Sequence, residues 1–188
     1  VPDRTVLCPF IGPPLKDSFM RFYGFSPSDA DLAIVRYREY FADKGLFENT
    51  VYPGIPALLD ALKRAGRRHI LATSKPGVFA ERILDHFGLS PYFSVIAGSD
   101  LEGKRVKKED VLRHALELTK TKPAQSLMIG DREYDVHGAR LVGMDCIGVT
   151  YGYGSEQELL DSGAAALADS AEALRRLLLP TGPASADA

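Results

Sequence analysis

The stretch SLMIGDREYD, residues 126–135, combines the features that decide the fold and the candidate site. A short apolar run ends at a glycine, Asp131 follows at once, and Asp135 comes four residues later in a segment with a helical pattern. If Asp131 ends a strand and Asp135 lies in the first turn of a helix, their like charges meet in one crevice and favour a bound cation. Mg²⁺ takes one or two such carboxylates and keeps several waters. On this stretch alone, a metal site and a helix cap followed by a solvated carboxylate both stay open.

From residue 55 onward, short apolar runs alternate with segments that repeat apolar residues at helical spacing. Predicted strands cover residues 69–73, 93–97, 127–129, 146–149 and a small fifth segment, 165–168. Strands that alternate with helices form βαβ units and therefore a parallel sheet. We predict an α/β fold, a Rossmann-like parallel sheet flanked by helices.

Residues 1–50 have a helical pattern with little strand signal. Three prolines and a glycine between Cys8 and Pro14 predict a loop without a regular element. One helix is predicted from Leu15 to Gly24, and a second opens at Ser26-Pro27 and ends at Gly45. We interpret the aromatic residues of the two helices as core rather than as ligand contacts: Phe19, Phe22, Tyr23, Tyr37, Tyr40 and Phe41.

The chain thus divides into a helical unit (1–50), an α/β core (51–180) and a small, polar tail (181–188) that is predicted to be disordered. Within the core, Ser155 and Glu158 form a capping box that opens a short helix, and Asp169 is predicted to cap the last helix. Cys146 is predicted to be buried in its strand.

Composition argues against several classes of protein. Of 188 residues, 45% are hydrophobic, which is enough for a core, and the net charge of −2 without a basic block argues against nucleic acid as a partner. No apolar run approaches the roughly 18 residues of a membrane span. Two distant cysteines form no disulfide framework, so a reducing cytoplasm is the expected compartment. Monomer and homodimer both stay open.

Polar residues follow three of the predicted strands. Thr73 and Ser74 end the strand at 69–73, a basic cluster at 104–108 follows the strand at 93–97, and Asp131 follows the third. Because the carboxyl ends of parallel strands meet at one edge of a sheet, these groups are expected to converge. A hydroxyl, an ammonium and a metal-binding carboxylate together suit a phosphoryl group.

A second phosphate-binding pattern is present but incomplete. The stretch GSDLEGK, residues 98–104, matches G-x-x-x-x-G-K. Arg105 follows where a phosphate loop requires Ser or Thr, and Lys104 lies four residues before the predicted helix start. We therefore disfavour a phosphate loop of this type.

These motifs resemble the haloacid dehalogenase-like superfamily, in its phosphoglycolate-phosphatase-type branch. LATSKP, residues 71–76, resembles the second family motif, and this implies that Thr73 binds the transferring phosphoryl group and that Ser74 contacts substrate. KKEDV, residues 107–111, resembles the third family motif. It implies that Lys108 steadies the phosphoryl group, with Lys107 as the alternative.

The fourth family motif is resembled by IGDREYD, residues 129–135. The resemblance implies Mg²⁺ as the cofactor, held by Asp131 directly and by Asp135 directly or through water. The loop and helices from Phe10 onward resemble the mobile helical cap of this branch, in which Gly12 lets the loop approach the substrate closely. A small helical cap domain, of which residues 1–50 are a part, is therefore expected beside the core.

The chain departs from the family at the first motif. Family members use an aspartate nucleophile in a D-x-D motif that ends the first strand, and no D-x-D follows an apolar strand here. Asp29-Ala30-Asp31 has the spacing but lies in a helical pattern. We expect that the parent protein carries the nucleophile and central strand upstream of Val1, and that these 188 residues alone do not turn over substrate.

The resemblance implies a Mg²⁺-dependent phosphatase of a small phosphorylated metabolite that acts through an aspartyl-phosphate. Phosphoglycolate is the first candidate substrate and nucleoside monophosphates come next. A 5'-nucleotidase, a sugar-phosphate mutase and a non-catalytic phosphate-binding relic stay open as alternatives. Tyr37 and Arg38 could face the site from the helical unit, but we favour packing for Tyr37 and a surface charge for Arg38.

Overall fold

The computed structural model describes residues 3–101 and 105–179. The predicted tail at 181–188, and Lys104 with its two preceding neighbours, lie outside the described residues.

The N-terminal helical segment (residues 3–50) contains no strand among its described residues. Its elements are α1 (Arg4–Leu7), a 3-10 turn (Cys8–Phe10), α2 (Leu15–Tyr23), α3 (Pro27–Phe41) and a second 3-10 turn (Gly45–Phe47). The prediction of no regular element between Cys8 and Pro14 is wrong at Cys8–Phe10. Proline fits the start of a helical turn because the missing N–H has no partner there.

The second helix begins as predicted, because Ser26 Oγ accepts a hydrogen bond from the Asp29 amide at 3.2 Å. Its predicted end at Gly45 is wrong, since the helix stops at Phe41. Arg82, which lies beyond this segment in the chain, donates a hydrogen bond to the Ala42 carbonyl at 2.7 Å. The Lys44 amide donates a hydrogen bond to the Tyr40 carbonyl. A side chain distant in sequence thus helps to end this helix.

The aromatic residues of α2 and α3 are not all core, so this prediction is wrong at several positions. Phe22, Tyr23, Tyr37 and Tyr40 are exposed. The rings of Phe22 and Tyr23 pack against Phe10, with centroids 5.1 and 5.4 Å apart, and that of Tyr37 stacks on Phe41, whereas the Tyr40 hydroxyl donates to Glu48. The buried positions among the described residues of the segment are small or aliphatic: Ser18, Ala30 and Leu46.

The remaining chain alternates helices and strands as predicted. The strands are β1 (His69–Pro76), β2 (Phe93–Ser99), β3 (Leu127–Gly130), β4 (Asp145–Val149) and β5 (Ala166–Ala168). The helices are α4 (Ile55–Arg64), α5 (Gly77–His86), α6 (Lys108–Thr119), α7 (Glu133–Leu141), α8 (Glu156–Asp161) and α9 (Ala171–Leu178), with 3-10 turns at Ser90–Tyr92 and Pro123–Gln125.

The strands pair in parallel but form two sheets in the described part of the chain. β1 pairs with β2, in the register Thr73 with Gly98, and β3 and β5 both pair with β4. Helix α6 contacts β1, β2 and α7, and so lies against both sheets. The predicted single sheet is therefore present as two parallel pieces on a common helical layer.

Three apolar clusters form the core. The central one joins α6, α7, α8 and the second sheet through Leu112, Met128, Val136, Ala139, Met144, Cys146 and Leu159. Cys146 is buried as predicted, and burial raises the pKa of its thiol to about 12. None of the helices within the described ranges is both long and apolar enough to cross a membrane.

The N-terminal caps of α8 and α9 were both predicted from the sequence, and only the first has the predicted cap residue. Ser155 Oγ accepts from the Glu158 amide at 3.0 Å, as predicted, but the Glu158 carboxylate binds elsewhere. The last helix is capped by Ser170 Oγ, which accepts from the Ala173 amide, so the prediction of Asp169 as the cap is wrong. The Asp169 carboxylate instead accepts a hydrogen bond from the Ser170 hydroxyl.

We predict that Leu159→Ala lowers the free energy of unfolding by about 2–5 kcal/mol, since a fully buried leucine leaves a cavity when truncated. Leu159 is 0% exposed, whereas its neighbour Leu160 on the same helix is 48% exposed. Leu160→Ala is the matched control, with an expected change within about 0.5 kcal/mol. Urea denaturation measures both values, and equal losses would contradict the assigned core.

Candidate active site

A cavity of about 720 Å³ lies between the N-terminal helical segment and the carboxyl ends of β1, β2 and β3. All six site residues predicted from the sequence line it: Gly12, Thr73, Ser74, Lys108, Asp131 and Asp135. Residues as far apart in sequence as Gly12 and Asp135 are thus brought to one place by the fold. The roles assigned to them remain predictions.

The end of β1 supplies a hydroxyl and main-chain groups. Thr73 Oγ1 accepts a hydrogen bond from the Lys75 amide at 3.2 Å, which leaves its proton available to a ligand. The Ser74 carbonyl accepts from Ser99 Oγ at 2.9 Å, and this bond ties the end of β1 to the end of β2. Both residues are half-buried at the cavity wall.

Lys108, rather than Lys107, faces the cavity. Its ammonium lies 2.7 Å from Asp135 Oδ1 and donates to the Ala72 carbonyl at 3.2 Å. The side chains of Lys108 and Asp135 are only 11% and 9% exposed, whereas Lys107 is exposed and does not line the cavity. The geometry therefore favours Lys108 as the motif lysine.

Asp135 is fully engaged by protein partners. While one carboxylate oxygen pairs with Lys108, the other accepts from the amides of Asp131 and Arg132, each at 3.1 Å. These bonds fix the loop between β3 and α7. A metal ion at Asp135 would compete with all three partners, so the arrangement fits a positioning role better than direct ligation.

Asp131 has a different environment. Its Oδ2 accepts from the Tyr153 amide at 2.9 Å, and its carbonyl accepts from the Gly154 amide at 2.9 Å. The loop after β4 thus donates hydrogen bonds to both the side chain and the main chain of Asp131. This leaves the second carboxylate oxygen, Oδ1, directed to no hydrogen-bond donor among the described residues.

The donor chemistry at Asp131 fits Mg²⁺, because this ion prefers carboxylate oxygen and takes few protein ligands. Within residues 3–101 and 105–179, no group of three or more His, Cys, Asp or Glu side chains is close enough to hold a metal by itself. Further ligands would have to come from substrate phosphate, from water, or from outside the described residues. Asp131 is the carboxylate best suited to hold the ion.

Lys75 lines the same cavity, although sequence analysis assigned it no role. The surrounding protein lowers its pKa by desolvation, the charge of Asp131 opposes this shift, and that of Lys108 adds to it. The side chain nevertheless keeps contact with solvent through the open side of the cavity. The cavity lining thus contains two lysines, Lys75 and Lys108, as well as the Asp131 carboxylate.

Arg132 connects this loop with the N-terminal helical segment. Its Nε donates to Glu158 Oε1 at 2.8 Å, and a terminal N–H donates to the Ile11 carbonyl. Burial would lower the pKa of Arg132, but the hydrogen bond and charge of Glu158 outweigh it and raise the pKa. Gly12 lies directly against this guanidinium.

The N-terminal helical segment gives the cavity an apolar and aromatic wall. Tyr37 and Arg38 both line it, so each faces the cavity, although Tyr37 also packs against Phe41 as predicted. Burial raises the pKa of Tyr37, so its hydroxyl stays protonated at neutral pH. The apolar residues of this wall are Phe10, Ile11, Leu15, Ile34, Val35 and Phe41.

Sequence analysis missed Lys75, Arg132, Glu158 and the loop after β4. One signal was available there, because YGYG (151–154) places two glycines directly after a strand end. A Cβ at Gly154 would lie 2.1 Å from the Asp131 carbonyl oxygen, and one at Gly152 would lie 2.4 Å from Asp131 Oδ2. Only glycine allows this close approach of main chain to Asp131.

A family model described as haloacid dehalogenase-like hydrolase matches residues 2–149. The chain belongs to the haloacid dehalogenase-like hydrolases. A crystal structure of a predicted phosphatase from Clostridium acetobutylicum is 50% identical and superposes with a TM-score of 0.93, over 95% of this chain and 83% of that one. These matches confirm the predicted family and fold class.

Curated relatives carry several names. The chain is 49% identical to a 5'-nucleotidase of Pseudomonas aeruginosa, over 84% of this chain and 72% of that protein. It is 42% identical to tyrosine-protein kinase PtkA of Mycobacterium tuberculosis (82% and 52% covered) and 37% identical to a phosphoglycolate phosphatase of Cupriavidus necator (81% and 66% covered). The chain thus spans between 52% and 72% of the length of these relatives.

We predict that Gly154→Ala lowers the free energy of unfolding by about 1–3 kcal/mol, because the added methyl group overpacks against the Asp131 carbonyl. Gly77→Ala is the matched control: its Cβ would lie 3.9 Å from the nearest atom, and the expected change is within about 0.5 kcal/mol. Thermal or urea unfolding measures both. Equal stability of the two variants would contradict the close contact at Asp131.

Proposed function

We propose that the parent protein is a Mg²⁺-dependent phosphomonoesterase of a small phosphorylated metabolite, and that its aspartate nucleophile precedes residue 1. The observation that carries this proposal is the convergence of Thr73, Lys108 and Asp131 on one cavity at the strand ends. A hydroxyl donor, an ammonium and a carboxylate are the groups needed to bind and neutralise a phosphoryl group.

The division of the sheet supports a missing central strand. Among the described residues, β1 has a strand partner on one side only, and so does β3. Ala72 of β1 nevertheless packs against the cluster that contains Met128 of β3, so the two edges lie near each other. A strand that ends in D-x-D would deliver its carboxylate between Thr73 and Asp131.

In the proposed reaction, the upstream aspartate attacks phosphorus, the ester P–O bond breaks, and the alcohol leaves with a proton from a second upstream aspartate. Water then hydrolyses the aspartyl-phosphate. Thr73 Oγ1 and Lys108 Nζ bind the phosphoryl oxygens, and Asp135 orients the Lys108 ammonium through their 2.7 Å ion pair. Mg²⁺ bound at Asp131 would neutralise negative charge on the phosphoryl oxygens.

The domain division stays part of the proposal. We propose that residues 1–50 belong to a cap that closes over substrate and excludes water, and that residues 51–180 form the catalytic core. The unpaired thiols of Cys8 and Cys146 support the proposed cytoplasmic compartment.

A nucleoside monophosphate is favoured as substrate by the aromatic and apolar wall of the cavity. Phosphoglycolate is small and anionic, and it would leave the stacked rings of Tyr37 and Phe41, which line the cavity, without a contact to the substrate. A nucleobase stacks on such rings, with about 1–3 kcal/mol per base. The 5'-nucleotidase from Pseudomonas aeruginosa adds support to this second candidate.

We predict that Asp131→Asn in the full-length protein lowers Mg²⁺-dependent phosphate release on the order of 100-fold, because an amide holds the cation poorly and leaves the transition-state charge less stabilised. Asp145→Asn, at the exposed start of β4, is the matched control with unchanged activity. Release of inorganic phosphate is measured against Mg²⁺ concentration. Equal activity of wild type and Asp131→Asn would refute the metal role.

We further predict that adenosine 5'-monophosphate is hydrolysed with a kcat/KM about tenfold above that of phosphoglycolate, from base stacking. Tyr37→Ala removes most of this preference, whereas Tyr40→Ala, on the same helix but outside the cavity lining, preserves it. Analysis of products separates hydrolysis from a mutase reaction, in which phosphate migrates and is not released. A preference for phosphoglycolate would contradict the aromatic-wall argument.

A further inference from the structure

The side chain of Arg132 links three elements that are distant in sequence. Arg132 directly follows Asp131 in the chain, and its side chain is 13% exposed. It donates hydrogen bonds to Glu158 on α8 and to the Ile11 carbonyl in the N-terminal helical segment. Its guanidinium also lies 5.7 Å from the centroid of the Tyr134 ring. The cation is thus enclosed by an acidic, a main-chain and an aromatic partner.

Glu158 fixes the direction in which Arg132 points. The Glu158 Oε1 atom that accepts from Arg132 Nε also accepts from the Glu133 amide at 2.9 Å. The hydrogen bond from the Glu133 amide holds this carboxylate at the start of α7. With its Nε bound to Glu158, the guanidinium directs a terminal N–H towards the N-terminal helical segment. A planar guanidinium serves both partners at once, which a lysine ammonium does not.

Gly12 allows the loop at residues 10–14 to reach Arg132. Its φ of +116° is rarely adopted by residues with a side chain, and an added Cβ would lie 3.3 Å from both an Arg132 terminal nitrogen and Tyr134 Cδ2. The glycine that sequence analysis assigned to substrate contact is therefore required at least as much for contact with the core. The 10–14 loop itself lines the cavity.

We propose that Arg132, held by Glu158, is a positioning residue that keeps the 10–14 loop over the cavity and thereby strengthens substrate binding without taking part in phosphoryl transfer. The loop contributes the same contacts to bound substrate and to the transition state. Losing it therefore raises KM and leaves kcat little changed. The effect on substrate binding rests on the proposed phosphatase function, whereas the effect on the loop does not.

The first experiment measures hydrogen exchange of the backbone amides of Phe10, Ile11 and Gly12 by mass spectrometry, without substrate. Arg132→Met is expected to raise their exchange rate about tenfold, because a charge-assisted hydrogen bond to the loop is lost. Arg132→Lys is expected to behave like Arg132→Met. Arg140→Met, an exposed arginine near the other end of α7, is the matched control.

Glu158→Gln is expected to raise exchange of the same amides by a smaller factor, since the carbonyl oxygen remains as an acceptor. If Glu158 acts through Arg132, the double variant exchanges at the rate of Arg132→Met alone. Unchanged exchange in Arg132→Met, or an additive effect in the double variant, would overturn the proposed positioning role.

The second experiment measures hydrolysis of p-nitrophenyl phosphate and adenosine 5'-monophosphate by the full-length protein. Arg132→Met is expected to raise KM about tenfold, with kcat within about threefold of wild type. A fall in kcat at unchanged KM would overturn the assignment to substrate binding. If wild type released no phosphate from either compound, the proposed function would fail, while the exchange rates would still decide the role of Arg132.

Discussion

The buried ion pair between Lys108 and Asp135 is the interaction on which the site and its surroundings depend. Burying two charges is costly unless their hydrogen-bonding capacity is filled, and removing one partner leaves an uncompensated charge. Here the 2.7 Å contact is completed by the Ala72 carbonyl on the lysine side and by two main-chain amides on the aspartate side. The pair and its hydrogen bonds join α6 and α7 with β1 of one sheet and with the loop that follows β3 of the other.

The same pair constrains its neighbours. A Cβ at Gly138 would lie 2.6 Å from Lys108 Cγ, and one at Gly130 would lie 2.2 Å from the Asp135 Cβ. Glycine inside a helix costs about 1 kcal/mol relative to alanine, and at Gly138 the close passage of Lys108 gives a reason for it. The pair also separates the two carboxylates of the loop: Lys108 neutralises Asp135, while Asp131 faces the cavity. Repulsion between the two carboxylates is therefore relieved without a cation, and Asp131 is the carboxylate that could still bind one.

Much of the fold and the convergence of the site could be predicted from local patterns. Apolar periodicity located the five strands found in residues 3–101 and 105–179, and the convergence of strand ends at one sheet edge correctly predicted that Thr73, Lys108 and Asp131 lie together. The failures involve contacts that local patterns do not encode. The end of α3 depends on Arg82, forty residues away, and the Arg132–Glu158 pair spans twenty-six residues without any periodic signal. Main-chain donors such as the Tyr153 amide are present in every residue except proline, so the residue type does not reveal which of them bind a site.

The contacts of the N-terminal helical segment with the rest of the chain differ from one end to the other. Near Leu46, which is fully buried, they include ring contacts of Phe47 with His86 and of Phe41 with Phe79, and the hydrogen bond from Arg82 to the Ala42 carbonyl. At Ile11 the contact is a hydrogen bond from Arg132. Water can replace a hydrogen bond at a net cost of about 0.5–1.5 kcal/mol, or up to about 3 for a charged donor, whereas separating buried apolar surfaces exposes them to water. The segment therefore has more extensive contacts near Leu46 than at the loop that carries Gly12, and we expect any opening of the cavity to begin at that loop.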